Sequence, residues 1–357
     1  MTDYETAGVR GQRAALGSIA RHLEPTLGFP GVEVLTHFGH YASVLKVGDD
    51  LAIAISTDGV GSKTVVASTL GRYDTIGFDC VAMNVNDVLC VGARPVAMVD
   101  YIGVHSLDDH RMDEIVRGLG AAAKEAGIAI PGGETAQLPE VIGGGGDPAA
   151  FDLVGTCIGT VRPDSLVLGT AVVPGDAVIG IASSGIHSNG LTLARQILVD
   201  QAGYHLDDEI GRLGRTLGDE LLEPTEIYVR AVSALGAEGI DCRGLVHITG
   251  DGLANLCRLD ASVGYHIEHL PPAPEIFGLI QTAGDVTAAE MYRVFNMGVG
   301  FVVVTAAELA NRAVATIERA GYRAERIGTV TDDVETVSIE PAGLVGGLKN
   351  GESFFHS

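Results

Sequence analysis

The spacing of apolar residues along the chain alternates between patterns typical of strands and patterns typical of helices. In the first half of the chain, the predicted strands are Tyr41–Val47, Asp50–Ser56, Val96–Val104 and Phe151–Val161, and the predicted helices are Ile76–Val91 and His110–Ala126. This order of elements is typical of an α+β layer domain, which we expect over residues 1–165.

The second half also contains both predicted strands and predicted helices. The predicted strands are Val178–Ala182 and Val299–Thr305, and the predicted helices are Leu191–Ala202, Thr225–Ala237, Pro274–Ala283, Thr287–Phe295 and Ala306–Ala320. Because 357 residues exceed what one hydrophobic core usually supports, we expect a second domain over 170–340. We expect residues 341–357 to form a loose tail.

The composition restricts the class of partner. The chain carries 46 acidic and 23 basic residues, a formal net charge of −23, which argues against nucleic acid and anionic membrane surfaces as partners. A phosphorylated substrate remains compatible, because the local charge of a site decides its binding. The polar start and the absence of any apolar run of about twenty residues predict a cytoplasmic protein without a membrane span.

The segment IAISTDGVGSK at Ile53–Lys63 joins a buried-strand pattern to a polar, Gly-rich turn. The turn contains Asp58, Gly59, Gly61 and Lys63. Backbone N–H groups in such turns can point at an anionic ligand, and here a carboxylate and an ammonium ion stand beside them. We therefore expect a ligand site at this strand end.

Acidic side chains recur in two further segments. Asp79, Asn84 and Asp87 fall on one predicted helix, and Glu134 lies in the Gly-rich segment PGGETAQLP. If Asp58, Asp87 and Glu134 meet, their oxygens form the kind of site that Mg²⁺ shares with phosphates. The alternative is that the polar side of the helix is simply solvated.

Two histidines lie in Gly-bearing turns of the second half. His187 and Asn189 belong to SSGIHSNGL, between a strand and a helix, where backbone N–H groups could hold an anion. The alternative is an ordinary helix cap at Ser188. His247 begins the similar segment HITGDG, and two histidines in such turns favour contact with a substrate.

Together these segments match a known family. They stand in order along the chain as YETAGV (4–9), STDGVGSK (56–63), DTIGFDCVAMNVNDV (74–88), GGETA (132–136), SSGIHSNGLTL (183–193), HITGDGL (247–253) and EMYRVFNMGVGF (290–301). The chain resembles the aminoimidazole ribonucleotide synthetases, also called phosphoribosylformylglycinamidine cyclo-ligases. The resemblance covers most of the chain.

The resemblance implies an N-terminal sheet domain that binds ATP and Mg²⁺ and forms a barrel with a second subunit in a homodimer. It implies a C-terminal α/β domain, with helices on a mixed sheet, that completes the active-site cleft. The implied reaction is the ATP-dependent cyclisation of formylglycinamidine ribonucleotide to aminoimidazole ribonucleotide, with release of ADP and phosphate. ATP would phosphorylate the formyl oxygen, and the amidine nitrogen would then close the ring.

The resemblance also implies roles for single residues. Asp58, Asp87 and Glu134 would hold Mg²⁺, and Lys63 would offset phosphate charge. Asp58, Gly59, Gly61, Asp79 and Asn84 would bind or position the nucleotide. His187, Asn189 and His247 would contact the substrate or relay protons.

Several segments depart from the family pattern, two of them in Gly-rich loops. The Gly-rich loop before the second strand is THFGHY at 36–41, and the three glycines after the family's His-Leu-Thr are Gly250-Asp251-Gly252. Two alternatives therefore stay open: another ATP-dependent enzyme of the superfamily that acts on a different amide or phosphate acceptor, and a catalytically silent homologue. Clustered carboxylates disfavour the silent homologue, since they are costly to bury without a cation.

Overall fold

The structure is a computed structural model that describes residues 13–349 and 352–357. The segment YETAGV at 4–9, which carries part of the family resemblance, lies outside the described residues.

The N-terminal part is a mixed sheet with helices packed on one face. Its strands are β1 (Glu33–Val34), β2 (Ser43–Lys46), β3 (Ala52–Gly59), β4 (Arg94–Val104), β5 (Gly133–Gln137) and β6 (Phe151–Val161). Its helices are α1 (Arg13–Leu23), α2 (Lys63–Leu70), α3 (Ile76–Leu89) and α4 (Asp109–Ala126). The strand order is β1-β2-β3-β6-β4-β5, and only the pairing of β4 with β5 is parallel.

The two faces of this sheet differ because side chains alternate along each strand. On β3, Ala52 and Ala54 are buried under α3, whose Val81 and Val85 are also buried. The opposite face, which we call the outer face, carries apolar side chains in solvent. Among them Val99, Tyr101 and Ile158 are 45%, 37% and 38% exposed.

The C-terminal part is built on an eight-stranded mixed sheet with the order β10-β12-β7-β13-β11-β14-β15-β16. Its strands are β7 (Ala177–Ala182), β10 (Cys242–His247), β11 (Gly264–Ile267), β12 (Val299–Thr305), β13 (Ala324–Thr331), β14 (Val337–Ile339), β15 (Leu344–Lys349) and β16 (Glu352–His356), and a small hairpin pairs β8 (Glu209–Ile210) with β9 (Arg215–Thr216). Its helices are α5 (Leu191–Arg195), α6 (Leu217–Leu221), α7 (Val229–Ala237), α8 (Glu275–Gly284), α9 (Ala288–Val294) and α10 (Ala310–Arg319).

Three expectations differ from the structure. The tail expected at 341–357 is wrong, because β15 and β16 continue the C-terminal sheet and Leu344 and Phe355 are buried. The Gly-rich segment around Glu134 is a strand, β5, rather than a turn. The helix expected at Leu191–Ala202 changes after α5 into a π-helix at Gln196–Gln201.

Helix α3 connects the two parts of the molecule. It packs on β3 and β6 of its own sheet and also contacts α7 and β10 of the C-terminal part. The polar residues of this helix therefore lie between the two sheets. In the described part of the chain, no helix is long and apolar enough to cross a bilayer.

Candidate active site between the two sheets

The site is centred on a contact between α3 and the end of β10. His247 is the last residue of β10 and its side chain is fully buried. Its Nδ1 lies 2.9 Å from Oδ1 of Asp87, and Nε2 is buried without a hydrogen-bond partner among the described residues. An imidazole that donates from Nδ1 to a carboxylate keeps a free lone pair on Nε2. His247 is therefore suited to accept a proton.

Asp58 lies at the end of β3, close to Asp87. Burial, and after it the negative charge of Asp87, raises the pKa of Asp58 from 3.8 to about 6, while the N–H of Gly59 and the charge of His247 oppose this. Two carboxylates that disfavour each other's ionisation form a site that a cation would stabilise. Among the described residues, the second oxygen of Asp87 has a long contact, 3.4 Å, with the Ser56 hydroxyl.

Two asparagines of α3 fix the backbone around the site. The side chain of Asn84 accepts from the N–H of Asp58 at 3.0 Å and donates to its carbonyl at 3.1 Å, which fixes the strand at that residue. Asn86 fixes the backbone of the C-terminal part in the same way, since it donates to the Glu226 carbonyl and accepts from the Tyr228 N–H. Sequence reasoning missed Asn86 because its partners are 140 residues or more away.

His187 lies in the loop after β7 with a left-handed backbone, at φ 65°. Its Nε2 accepts a hydrogen bond from the backbone N–H of Ser184 at 3.2 Å. The backbone N–H of Glu226 points at the same atom from 3.5 Å. Burial lowers the pKa of His187 well below its usual value, and the charges of His247 and Lys63 add to this. The ring is therefore neutral, its proton is on Nδ1, and that atom is buried without a partner among the described residues.

The two histidines are joined by buried aromatic rings. Ring centroids are 6.5 Å apart between His187 and Tyr228, 5.2 Å between Tyr228 and Phe301, and 6.4 Å between Phe301 and His247. Asn296 fixes the loop of His187 through bonds to the carbonyls of 185 and 186 and to the Ser183 hydroxyl. This arrangement offers one N–H donor and one bare acceptor in the same buried region.

Lys63 and Asp79 form a fully buried ion pair, 2.8 Å from Nζ to Oδ1. Nζ also donates to the carbonyl of Glu223, and Thr225 donates its N–H and its hydroxyl to the same oxygen of Asp79. The pair thus fastens α2 and α3 to the C-terminal part. In this structure the ammonium ion of Lys63 already has a carboxylate partner, so its expected contact with phosphates stays a prediction.

The remaining candidates are less enclosed. Asn189 is half-buried, and its Oδ1 has no partner among the described residues. Gly59 donates its N–H to the Asp58 carboxylate at 2.7 Å. Gly61 has φ +71°, a conformation that favours glycine, and open space where a side chain would stand.

Glu134 does not join the other two carboxylates within one chain. Register pairs Asp58 with Gly155, Gly155 with Asp100 and Asp100 with Gly133, so Asp58 shares a sheet face with Gly133. Glu134 therefore points to the outer face, where it is exposed. Among the described residues, no group of three or more His, Cys, Asp or Glu side chains could hold a metal ion.

The chain is similar to known proteins along most of its length. Residues 39–161 match the family model described as AIR synthase related protein, N-terminal domain, and residues 173–340 match the model of the C-terminal domain. A phosphoribosylformylglycinamidine cyclo-ligase of Methanobrevibacter smithii is 48% identical over 93% of this chain and 96% of its own length. One of Methanothermobacter thermautotrophicus is 46% identical over 95% and 97%.

Solved structures share the fold. A protein of Thermus thermophilus has a TM-score of 0.65 and 25% identity, covering 94% of this chain and 98% of that chain. A thiamine-monophosphate kinase of Stenotrophomonas maltophilia has a TM-score of 0.61 at 19% identity, covering 91% and 96%, which shows the fold alone.

The identity to the relatives and the two family matches confirm the resemblance found in the sequence motifs. The chain belongs to the AIR synthase family, in the group of the phosphoribosylformylglycinamidine cyclo-ligases, the ATP-dependent ligases that convert formylglycinamidine ribonucleotide to aminoimidazole ribonucleotide in purine biosynthesis.

Proposed function

We propose that this ring closure takes place between the two sheets, at the site formed by Asp58, Asp87, His187 and His247. The observation that carries the proposal is the pair of His247 and Asp87, which leaves Nε2 of a buried imidazole free to accept a proton. The reaction needs such a group, because the attacking amidine nitrogen loses a proton when the ring closes.

His247 acts as the general base in this proposal. After the formyl oxygen has received the γ-phosphoryl group, the amidine nitrogen attacks the formyl carbon and gives its proton to Nε2. The bond from carbon to the phosphorylated oxygen then breaks, and phosphate leaves. Asp87 accepts from Nδ1 and so keeps the lone pair on the reacting side of the ring.

His187 acts as a hydrogen-bond donor. Two backbone N–H groups lie at Nε2, so the neutral ring presents its proton at Nδ1. An N–H that stays protonated at neutral pH stabilises negative charge on the departing oxygen. Asn189, two residues further along the same loop, contacts the substrate beside it.

Asp58 and Asp87 would hold Mg²⁺, with phosphate oxygens of ATP as further ligands. The fit rests on two observations: the pKa of Asp58 is raised partly by the charge of Asp87, and one oxygen of Asp87 has a single long contact, with the Ser56 hydroxyl, within the described part of the chain. The metal ion would neutralise charge on the transferred phosphoryl group. The turn with Gly59 and Gly61 would lie beside the nucleotide, with open space at Gly61. Asp79 and Asn84 would position the nucleotide indirectly. Asp79 acts through Lys63, and Asn84 acts through the backbone of Asp58.

The enzyme acts as a homodimer in this proposal. The outer face exposes Val99, Tyr101 and Ile158 on adjacent strands, and apolar side chains in a row favour burial against a partner. A second copy packed there would complete the expected barrel and would bring Glu134 into the interface. A contribution of Glu134 to nucleotide or metal binding therefore belongs to the dimer.

The proposal also includes a domain division at about residue 165 and a cytoplasmic location. The division at about residue 165 is supported by the two sheets, since β6 ends at Val161 and β7 begins at Ala177. A cytoplasmic location is supported by five free cysteines, which a reducing compartment preserves.

The test is an assay of the purified protein with formylglycinamidine ribonucleotide, ATP and MgCl₂, reading aminoimidazole ribonucleotide by its diazotisation colour and ADP in parallel. We expect equal amounts of both products, and no product without the metal ion. ADP without the imidazole would favour a different acceptor, and neither product would favour a catalytically silent homologue.

A further inference from the structure

We propose that Asp251 is a positioning residue that holds the segment 247–252, and with it the imidazole of His247, in the geometry needed for proton transfer. The inference rests on the proposed role of His247 as the base. Asp251 lies four residues after His247, at the start of the 3-10 helix Gly252–Arg258.

The backbone of Asp251 has an unusual conformation. Its φ is +79°, in the left-handed region that residues other than glycine rarely adopt. Such a conformation persists only where surrounding contacts hold it, and it occurs often at functional sites. The next residue, Gly252, has φ +55°, and an added Cβ there would lie 2.0 Å from the Tyr292 carbonyl. The chain therefore passes through a turn that leaves it little freedom.

Both oxygens of the Asp251 carboxylate accept a hydrogen bond, one from the last strand of the sheet and one from the end of the adjacent 3-10 helix. Ser353, on β16, donates its hydroxyl to Oδ1 at 2.7 Å. Arg258, at the end of the 3-10 helix, donates from Nη2 to Oδ2 at 3.2 Å. The carboxylate thus joins the turn to the last strand of the C-terminal sheet, in the region that the sequence predicts to be a loose tail.

The same contacts lead back to His247. The guanidinium of Arg258 lies 5.2 Å from the centre of the Tyr41 ring, and the Tyr41 hydroxyl donates to the carbonyl of His247 at 3.0 Å. Asn255 closes the turn from inside by donating to the carbonyls of 250 and 252. Tyr41 therefore fixes one end of the segment 247–252 and Asp251 fixes the other.

Asp251→Gly tests the proposal, because glycine adopts this φ without strain while the carboxylate is lost. We expect the melting temperature to change by no more than about 3 °C, because the relief of backbone strain offsets the loss of the two contacts. We expect kcat to fall about tenfold or more, with KM for ATP within about twofold. Ser353→Ala, which removes one of the two contacts, should show a smaller loss of kcat.

Asp285→Gly is the matched control. Asp285 also has a left-handed backbone, at φ 47°, but it caps the C-terminal end of α8. The same substitution there should leave kcat unchanged. Should Asp251→Gly unfold the protein, Asp251→Asn provides the same comparison, because the amide keeps the shape and removes the charge.

A double variant separates this inference from the proposed function. If Asp251 acts through His247, then Asp251→Gly should cause no further loss of kcat in a His247→Asn background. Full kcat in Asp251→Gly, or losses that multiply in the double variant, would overturn the inference. Full activity of His247→Asn alone would instead overturn the proposed base.

Discussion

Nδ1 of His247 and Oδ1 of Asp87 lie 2.9 Å apart although the two residues are 160 positions apart in the sequence. Asp87 belongs to α3 in the N-terminal part, and His247 ends β10 in the C-terminal part. The pair forms only when the two parts are docked, which the asparagines of α3 and the buried pair of Lys63 and Asp79 maintain. Domain docking and the proton acceptor are therefore linked.

Asp87→Asn should lower kcat by about a hundredfold or more, because an amide can donate to Nδ1 and so move the imidazole proton to Nε2. The measurement is kcat over a range of Mg²⁺ concentrations. Asp113→Asn, on the exposed side of α4, is the matched control and should be unaffected. If saturating Mg²⁺ restored full activity, the carboxylate would serve the metal ion alone.

The raised pKa of Asp58 should make the free energy of unfolding decrease as the pH rises. The pKa of Asp58 is about 6 in the folded protein against 3.8 as the reference, so between these values the folded state binds the proton and the unfolded chain does not. The free energy of unfolding therefore decreases with pH through this window, by up to about 3 kcal/mol, and stays lowered above it.

Asp58→Asn should remove this penalty and abolish turnover. Urea unfolding without metal should find the variant more stable than the parent protein at about pH 7.5, with a smaller difference at about pH 4.5. A gain in stability that is equal at both pH values would contradict the raised pKa. Full activity in the variant would discard the metal assignment.

Lys63→Met should destabilise the protein by about 3 kcal/mol, because it leaves the buried carboxylate of Asp79 without its cation. The double variant Lys63→Met with Asp79→Asn should recover part of this loss, since no buried charge remains. Urea unfolding of the parent protein, the single variant and the double variant measures both the loss of stability and its partial recovery. A stable single variant that has lost only ATP affinity would show that Lys63 serves the phosphates instead.

Tyr101→Glu should convert the proposed dimer to a monomer, because it introduces a charge into the apolar outer face. Light scattering after size-exclusion chromatography gives the mass of the species. Leu107→Glu is the control, since Leu107 is 58% exposed and lies between β4 and α4, outside the strands of that sheet. A parent protein that is already monomeric would contradict the dimer.

Elements with a strong local pattern could be predicted closely from the sequence. The predicted strands Phe151–Val161 and Val299–Thr305 have the observed bounds, and the predicted helix at 76–91 ends two residues late. In the first of these strands alternate residues are buried, whereas the second is buried throughout, and both patterns are readable locally. The last two strands were missed because their glycines, in VGGLKNG, weaken the strand signal.

The candidate site was predictable as a set of residues but not as a geometry. The motifs named Asp58, Asp87, His187 and His247, which the structure brings to one region. Which face Glu134 takes depends on strand register, and the pairing of Lys63 with Asp79 depends on how two domains dock. Neither is set by local sequence. The role of Asp251 depends in part on its contact with Ser353, which is 102 positions away.

The most direct test of the central claim is the turnover of His247→Asn with formylglycinamidine ribonucleotide and ATP, beside the control His266→Asn on β11. The account predicts that kcat falls by about a hundredfold or more in His247→Asn, with ATP binding and melting temperature nearly unchanged, and that the control keeps full activity. A His247→Asn protein with full kcat would contradict the assignment of His247 as the base.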